Sequence, residues 1–330
     1  MIGAADQRVP PAPAAMLALF AVFATLPGWI GAVGLYPYLG VEIMIWIVFA
    51  LGFNLLLGTS GLPSFGHGAY FGVGAYAFGL AQLHLNPSLW ACLGAALAAG
   101  AAAGALVASF VSHRRGIYFA LLTIAFGQIF WFVAIKWYRV THGEDGLLNI
   151  RRPDADFGFV AWSLQSNESL YAFCFAVFAL AVLLLWRLVH SPYGRVLSAI
   201  RQNETRARFI GYHVWLYKWS AFVLSAAVAG LAGGLFALAQ QSAYPNVMSL
   251  HQSGYVVMMA LIGGGMVSFW GPVIGAVLFF LARDLLGAYT EAWLLWYGLL
   301  FMVVVLFRPE GLAGLFHVRH VRHVRSKPAA

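Results

Sequence analysis

Charge is what this sequence has least of. Asp, Glu, Lys and Arg make up 9% of 330 residues, while 62% are hydrophobic and the mean hydropathy is +0.81. So few charges cannot cover a water-facing surface, which excludes a soluble globular protein of this length. Cysteine is almost absent too. Cys92 and Cys174 each lie inside an apolar run, so neither a disulfide framework nor a cysteine metal site is indicated, and both read as packing residues. No Gly-x-x-x-x-Gly-Lys-Ser/Thr phosphate loop occurs, so ATP is not hydrolysed here by that route. His-Glu-x-x-His, Gly-x-Ser-x-Gly and paired carboxylates within apolar runs are also missing, which argues against an intramembrane enzyme. The net charge of +8 does not point to nucleic acid, because Lys and Arg fall in short clusters between apolar runs.

What remains is lipid-compatible sequence. A bilayer core of about 30 Å needs roughly 20 apolar residues in a helix. Ten runs approach that length: 14–35, 39–57, 64–83, 88–110, 117–138, 169–190, 218–240, 246–262, 270–288 and 292–307. The first is too long for a signal-peptide core and reads as an uncleaved span. The third is rich in glycine, and the eighth carries His251, Gln252 and Ser253 near its start. Backbone groups must be satisfied inside hydrocarbon, and the two-residue alternation of a membrane barrel is missing. The expected fold is therefore an all-α integral membrane bundle of about ten transmembrane helices, one domain over 1–330. Aromatic content of 16%, with 12 Trp, suits two membrane interfaces.

Ten spans put both termini on one side, and the positive-inside rule chooses it. With the termini cytoplasmic, Arg8, Arg114, Arg115, Arg187, Arg195, Arg201, Arg206, Arg208, Lys218, Arg308, Arg319, Arg322, Arg325 and Lys327 fall inside. Only Lys136, Arg139, Arg151 and Arg152 fall outside, a bias of 14 to 4, and Arg283 stays in a span. Three polar stretches follow: an outer, periplasmic loop at 139–168, a cytoplasmic loop at 191–217 and a basic cytoplasmic tail at 308–330. In the inner loop Val196, Leu197, Ile200, Phe209 and Ile210 alternate with Arg195, Arg201, Arg206 and Arg208 at a helical period, so an amphipathic helix is expected there.

Glycine recurs through Gly58-Thr-Ser-Gly-Leu-Pro-Ser-Phe-Gly-His-Gly-Ala-Tyr-Phe-Gly-Val-Gly-Ala-Tyr-Ala-Phe-Gly79. Small residues bring helix backbones together, and a Gly/Pro-interrupted span can also line a solute path. Candidate path residues are Gly61, Ser64, Gly66, His67, Gly68, Tyr70, Gly74 and Tyr76. His67 is the only ionisable side chain in the stretch and is expected near the cytoplasmic end, as a path residue or a packing and interfacial one. A related stretch, Gly263-Gly-Gly-Met-Val-Ser-Phe-Trp-Gly-Pro-Val-Ile-Gly-Ala276, is either the second half of an internal repeat or chance likeness. Arg283 and Asp284 are adjacent charges inside a span; neighbours on a helix do not face each other, so each needs another partner, Glu42 or Glu291 for the arginine.

The inner loop, Ser191-Pro-Tyr-Gly-Arg-Val-Leu-Ser-Ala-Ile-Arg-Gln-Asn-Glu-Thr-Arg-Ala-Arg-Phe-Ile-Gly-Tyr-His-Val-Trp-Leu-Tyr-Lys218, resembles the cytoplasmic coupling segment of the permeases of branched-chain amino-acid ABC importers. Gly194, Arg195, Ala199, Ile200, Arg201, Asn203, Glu204, Ala207 and Gly211 match its pattern, while Gln202 stands where an acidic residue is common. The likeness runs along nearly the whole chain. Arg115-Gly-Ile-Tyr-Phe-Ala-Leu-Leu-Thr-Ile-Ala-Phe126, Arg308-Pro-Glu-Gly-Leu312 and the run around His67 all look like the M-type permease chain of that family. Its outer Thr-Gly-Gly-x-x-Gly-Leu motif appears as Thr141-His-Gly-Glu-Asp-Gly-Leu147, with His142 in place of glycine beside Gly143 and Gly146.

The resemblance implies a non-catalytic permease of the bacterial inner membrane that binds no cofactor or metal itself. It implies a second, homologous permease as heterodimer partner and two cytoplasmic ATP-binding subunits carrying ATP and Mg. It also implies a periplasmic substrate-binding protein, with membrane lipid as the surroundings and no nucleic acid. Arg195, Arg201 and Glu204 are then expected to hold the ATPase groove. The same architecture serves urea, short amides and aromatic acids, and a gradient-driven transporter or channel is the rival from another class.

Overall fold

The computed structural model of the chain describes residues 12–85, 88–156, 161–308 and 310–314. The first residues and nearly all of the expected basic tail lie outside the described residues. Every one of the ten apolar runs is helical. In chain order the helices are α1 (Ala12–Trp29), α2 (Pro37–Asn54), α3 (His67–His84), α4 (Leu89–Val111), α5 (Gly116–Lys136), the short α6 (Tyr138–Thr141), α7 (Asn167–His190), α8 (Pro192–Gln202), α9 (Glu204–Phe209), α10 (Val214–Gln240), α11 (Leu250–Gly263), α12 (Gly271–Gly287) and α13 (Trp293–Phe307). Within 139–168, β1 (Ala155–Asp156) pairs antiparallel with β2 (Ala161–Trp162).

Helix ends follow local chemistry. Ser191 and Asn203 cap α8 and α9, their side-chain oxygens accepting from Gly194 N and Arg206 N, and Ser249 does the same for Gln252 N at α11. Pro37 and Pro192 occupy first helical turns, where a missing N–H costs nothing. Gly264, at φ +90°, closes α11 in the left-handed conformation.

Six helices, α1, α2, α4, α5, α7 and α10, are long and apolar enough to cross a membrane. The chain is thus a multi-pass helical membrane protein. The other four, α3, α11, α12 and α13, have 18, 14, 17 and 15 residues. α3 is as long as α1 and α2 but dilutes its apolar run with four glycines, two histidines and a glutamine, whereas α11 is short because it begins inside the bundle.

Burial sorts the helices into axis and rim. The most apolar window of α2 is 94% buried and that of α10 is 78% buried, against 22% for α1 and 28% for α5. The outer faces of α5, α7 and α13 display Ile117, Leu121, Phe132, Leu184, Leu306 and others, which only a lipid or protein surrounding tolerates. Inside, small residues set the crossings. Gly230 of α10 faces Gly100 of α4, where an added Cβ would stand 2.9 Å from the Gly100 Cα, and on another side it abuts Gly74 of α3. Backbones meet directly at this point, the packing that hydrocarbon favours because apolar area alone gives helices no drive to associate there.

Candidate functional site

Two features carry functional information: the α8–α9 hairpin at one end of the bundle, and the interrupted helices behind it.

The hairpin is built to fold back on the bundle. An added Cβ on Gly194 would collide with the Val189 carbonyl, so only glycine lets α8 turn off the end of α7. Gly211, at φ +100°, makes the return turn after α9. Leu197 is buried in the main core, while Ile200, Ala207 and Val214 form their own small apolar cluster. Three polar ties reinforce this. Tyr193 Oη lies 2.8 Å from Ser220 Oγ; since that serine donates to Tyr217 O, the tyrosine is the donor. Arg201 Nη1 donates to the carbonyls of Gly58 and of Met266 (3.0 Å), one in each Gly-rich stretch. Its methylene stem lies across Gly61, whose φ is +71°. Partial burial lowers the pKa of the Arg201 guanidinium, which stays charged.

Glu204 is the third tie. Its carboxylate receives Lys218 Nζ at 2.6 Å, Arg115 Nε at 2.7 Å and Arg208 Nη2 at 3.4 Å. The Lys218 side chain is 3% exposed and that of Glu204 12%, so this pair is internal and joins α9 to α10. Of the three charges expected to meet a partner, Arg201 and Glu204 are therefore occupied within the chain, and Arg195 faces outward. Ala199 is exposed alongside it, whereas Gly194, Ile200 and Ala207 face inward. Next to the ties, Phe209 and Ile210 are left 88% and 69% exposed.

Behind the hairpin, α2 ends in a π-helical turn, Leu55–Thr59, and residues 60–66 run without regular structure before α3 begins at His67. His67 is fully buried. Ser225 Oγ donates to Gly52 O (2.6 Å), so its lone pair receives Nε2–H of His67 (2.8 Å), leaving Nδ1 to accept from Ser64 Oγ (3.2 Å). Phe49, Phe53, Tyr70 and Phe222 surround the ring. Ser225 lies 11 residues (225 − 214) into α10, about 17 Å from the hairpin end at 1.5 Å per residue. His67 thus sits near the middle of α10, deeper than its place in the sequence suggests, and locks α2, α3 and α10 together.

At the same level the Gly68 N–H donates to Ser253 Oγ (2.9 Å), and Ser253 is in the first turn of α11. α3 and α11 therefore start against each other inside the bundle; α11 runs back to the hairpin end, where Met266 meets Arg201, and α3 runs the other way. Thr123 of α5 closes the junction, its Oγ1 accepting from Phe65 N (3.1 Å), and Gly66 abuts the Thr123 carbonyl. Gly72 and Gly74 lie against Met248 and Gly230, and Tyr70 and Tyr76 are buried. The stretch 61–76 is thus a packed junction, not an open lining.

At the far end, Thr141 Oγ1 lies 2.6 Å from Ala134 O, and His142 adopts φ +61°, which explains why glycine suits that position. Gly143 and Gly146 are also left-handed, at φ +67° and +69°, and Leu147 bridges to Ala243, strapping 139–168 to the link after α10. Arg283 pairs with Glu42, as one of its expected options, through Nη2–Oε2 (2.7 Å) and Nη1–Oε1 (3.2 Å). It also pairs with Asp284 through Nε (2.9 Å), against the expectation for neighbours, because the long guanidinium folds back along its own helix.

Residues 37–308 match the family described as branched-chain amino acid transport system / permease component. The chain belongs to that family. It is 32% identical over 289 residues to the high-affinity branched-chain amino acid transport system permease protein LivM of Salmonella typhimurium, covering 82% of this chain and 68% of that protein. It is equally similar, 32% over 288 residues with the same coverage, to LivM of Escherichia coli. A nucleoside ABC transporter permease protein, NupC of Lactococcus lactis, is 28% identical over 104 residues, 32% of this chain and 31% of that one. No solved structure matches. A subunit of this family is a non-catalytic membrane component.

Lys218, Arg115, Ser225, Gly230 and Ser253 complete these sites but did not stand out in the sequence. The four-residue spacing of Gly100 with Gly104, and of Ala226, Gly230 and Gly234, was the available sign of the crossing.

Proposed function

We propose that this chain is one of two permeases of an ATP-driven importer of branched-chain amino acids in the bacterial inner membrane, and that α8–α9 is where a cytoplasmic ATPase grips it. The observation that carries this reading is the two-sided hairpin. One side is fixed to the bundle by Glu204–Lys218 and by Arg201; the same hairpin leaves Phe209 and Ile210 exposed, with Arg195 and Arg206 also exposed. Exposed large apolar side chains accompanied by arginines suit a protein-binding surface. Both termini and the hairpin are then cytoplasmic, all ten helices serve the membrane domain, and 139–168 receives the periplasmic binding protein.

In this mechanism, closure of the two ATPases on ATP and Mg moves α8–α9 as a rigid body. Arg201 passes the motion to the breaks before α3 and after α11, and the bundle alternates between inward-facing and outward-facing states. Residues 61–76 act as the pivot of the solute path. Reconstitution with the sister permease, the ATPases and the binding protein tests it: L-leucine uptake should require ATP and survive collapse of ion gradients. Uptake that persists without ATP while an ion gradient is held would exclude the reading.

A further inference from the structure

We infer that Asn246, His251 and Gln252, at the start of α11, form a solute-contacting wall of the translocation path, one that takes a small zwitterion with an apolar side chain. This rests on the transporter reading above and moves the path surface from the packed stretch 61–76 to its neighbour. Depth is the first argument. Ser253 bonds Gly68 at the level of His67, about 17 Å along α10, and the Val247 carbonyl also lies against Gly68. Asn246 and His251, one and two residues from these anchors, share that level, and both are exposed.

A histidine and an asparagine turned outward at mid-bilayer depth are costly against hydrocarbon, so this face meets something polar. The second argument is an unpaired acceptor. The Gln252 side chain is partly exposed, yet its Oε1 is turned inward without a hydrogen-bond partner, so a turn of the amide toward the exposed face is what would satisfy it. Leu250, 42% exposed, adds an apolar surface beside them. Together they offer an imidazole, two amides and an aliphatic contact with no carboxylate, lysine or arginine among them. An amino acid matches that set: its ammonium donates to Gln252 Oε1 once that amide turns outward, its carboxylate accepts from His251 or the Asn246 amide, and its side chain rests on Leu250.

The native cysteines are buried, Cys92 at 0% and Cys174 at 1% exposure, so an introduced thiol can be read against a quiet background. In the complete reconstituted complex, Asn246→Cys and His251→Cys should react with a membrane-impermeant methanethiosulfonate, and saturating L-leucine with the binding protein should slow the reaction at least tenfold. Gln252→Ala should reduce the rate of ATP-driven leucine uptake about tenfold with wild-type recovery of the complex. Reaction only with a lipid-soluble maleimide would place this face against lipid. No reaction in the complex, with reaction in the isolated chain, would place it under the sister permease. Either result overturns the inference, as do labelling that leucine leaves unchanged and a Gln252→Ala complex transporting at the wild-type rate. Wild-type uptake measured in parallel separates the two levels: if it is ATP-driven while the labelling fails, only this site falls.

Discussion

Replacing Glu204 by Gln isolates the tie between the hairpin and the bundle. The carboxylate serves three cations of unequal weight. Arg115 and Arg208 are 54% and 67% exposed, and pairs of that kind contribute about 0–1 kcal/mol each. Lys218 is 3% exposed, and removing the one carboxylate that pairs with it among the described residues leaves an uncompensated buried ammonium, a loss of about 3–5 kcal/mol. Even the lower figure shifts the balance between docked and undocked α9 by about a hundredfold. Hydrogen–deuterium exchange on the chain in nanodiscs reads this directly, as lost protection in residues 204–218 with α2 and α4 unchanged. Adding Lys218→Met should restore most of the protection, because an apolar side chain of similar length needs no counter-charge. Unchanged protection in Glu204→Gln, or no recovery in the double variant, would refute the claim that this ion pair anchors the hairpin.

Gly230→Val should destabilise the crossing of α10 with α4 by at least about 1–3 kcal/mol, since the new Cβ meets the Ala96 carbonyl and the Gly100 backbone; a wild-type Tm in detergent would contradict it. The contact of Gly74 with the Gly230 backbone predicts that a bulky residue at Gly74 lowers recovery of folded protein and does not merely block uptake. His67→Ala removes two hydrogen bonds and a ring packed among four aromatics, about 3–5 kcal/mol together, checked by the same melt. Arg201→Ala should remove both Nη1 bonds, to the Gly58 and Met266 carbonyls, leaving ATP hydrolysis in the complex while uptake per ATP falls severalfold; a fully coupled variant would count against Arg201 as the transmitting residue.

The helices were legible because twenty-odd apolar residues in lipid leave the backbone little choice, and each of the ten runs is a helix. Depth was not legible. His67 stands just after a cytoplasmic turn in the sequence, yet the irregular residues 60–66 carry the chain inward before α3 starts, and only the Ser225 bond reveals it. The amphipathic helix at 191–217 was legible from its pattern, but which side of it faces inward depends on Arg115 and Lys218, which lie outside that stretch. His251, Gln252 and Ser253 had a visible sign, polar residues near the start of an apolar run; in the structure they mark where α11 begins inside the bundle.

The central claim is that a motor grips Phe209 and Ile210 on a hairpin held from behind. It is tested most directly by ATP-driven L-leucine uptake in proteoliposomes of the complete complex carrying Phe209→Asp with Ile210→Asp. The account predicts that the two permeases still associate, while the ATPase is lost from the complex and uptake falls to the level without ATP. Retention of the ATPase with uptake at the wild-type rate would contradict it.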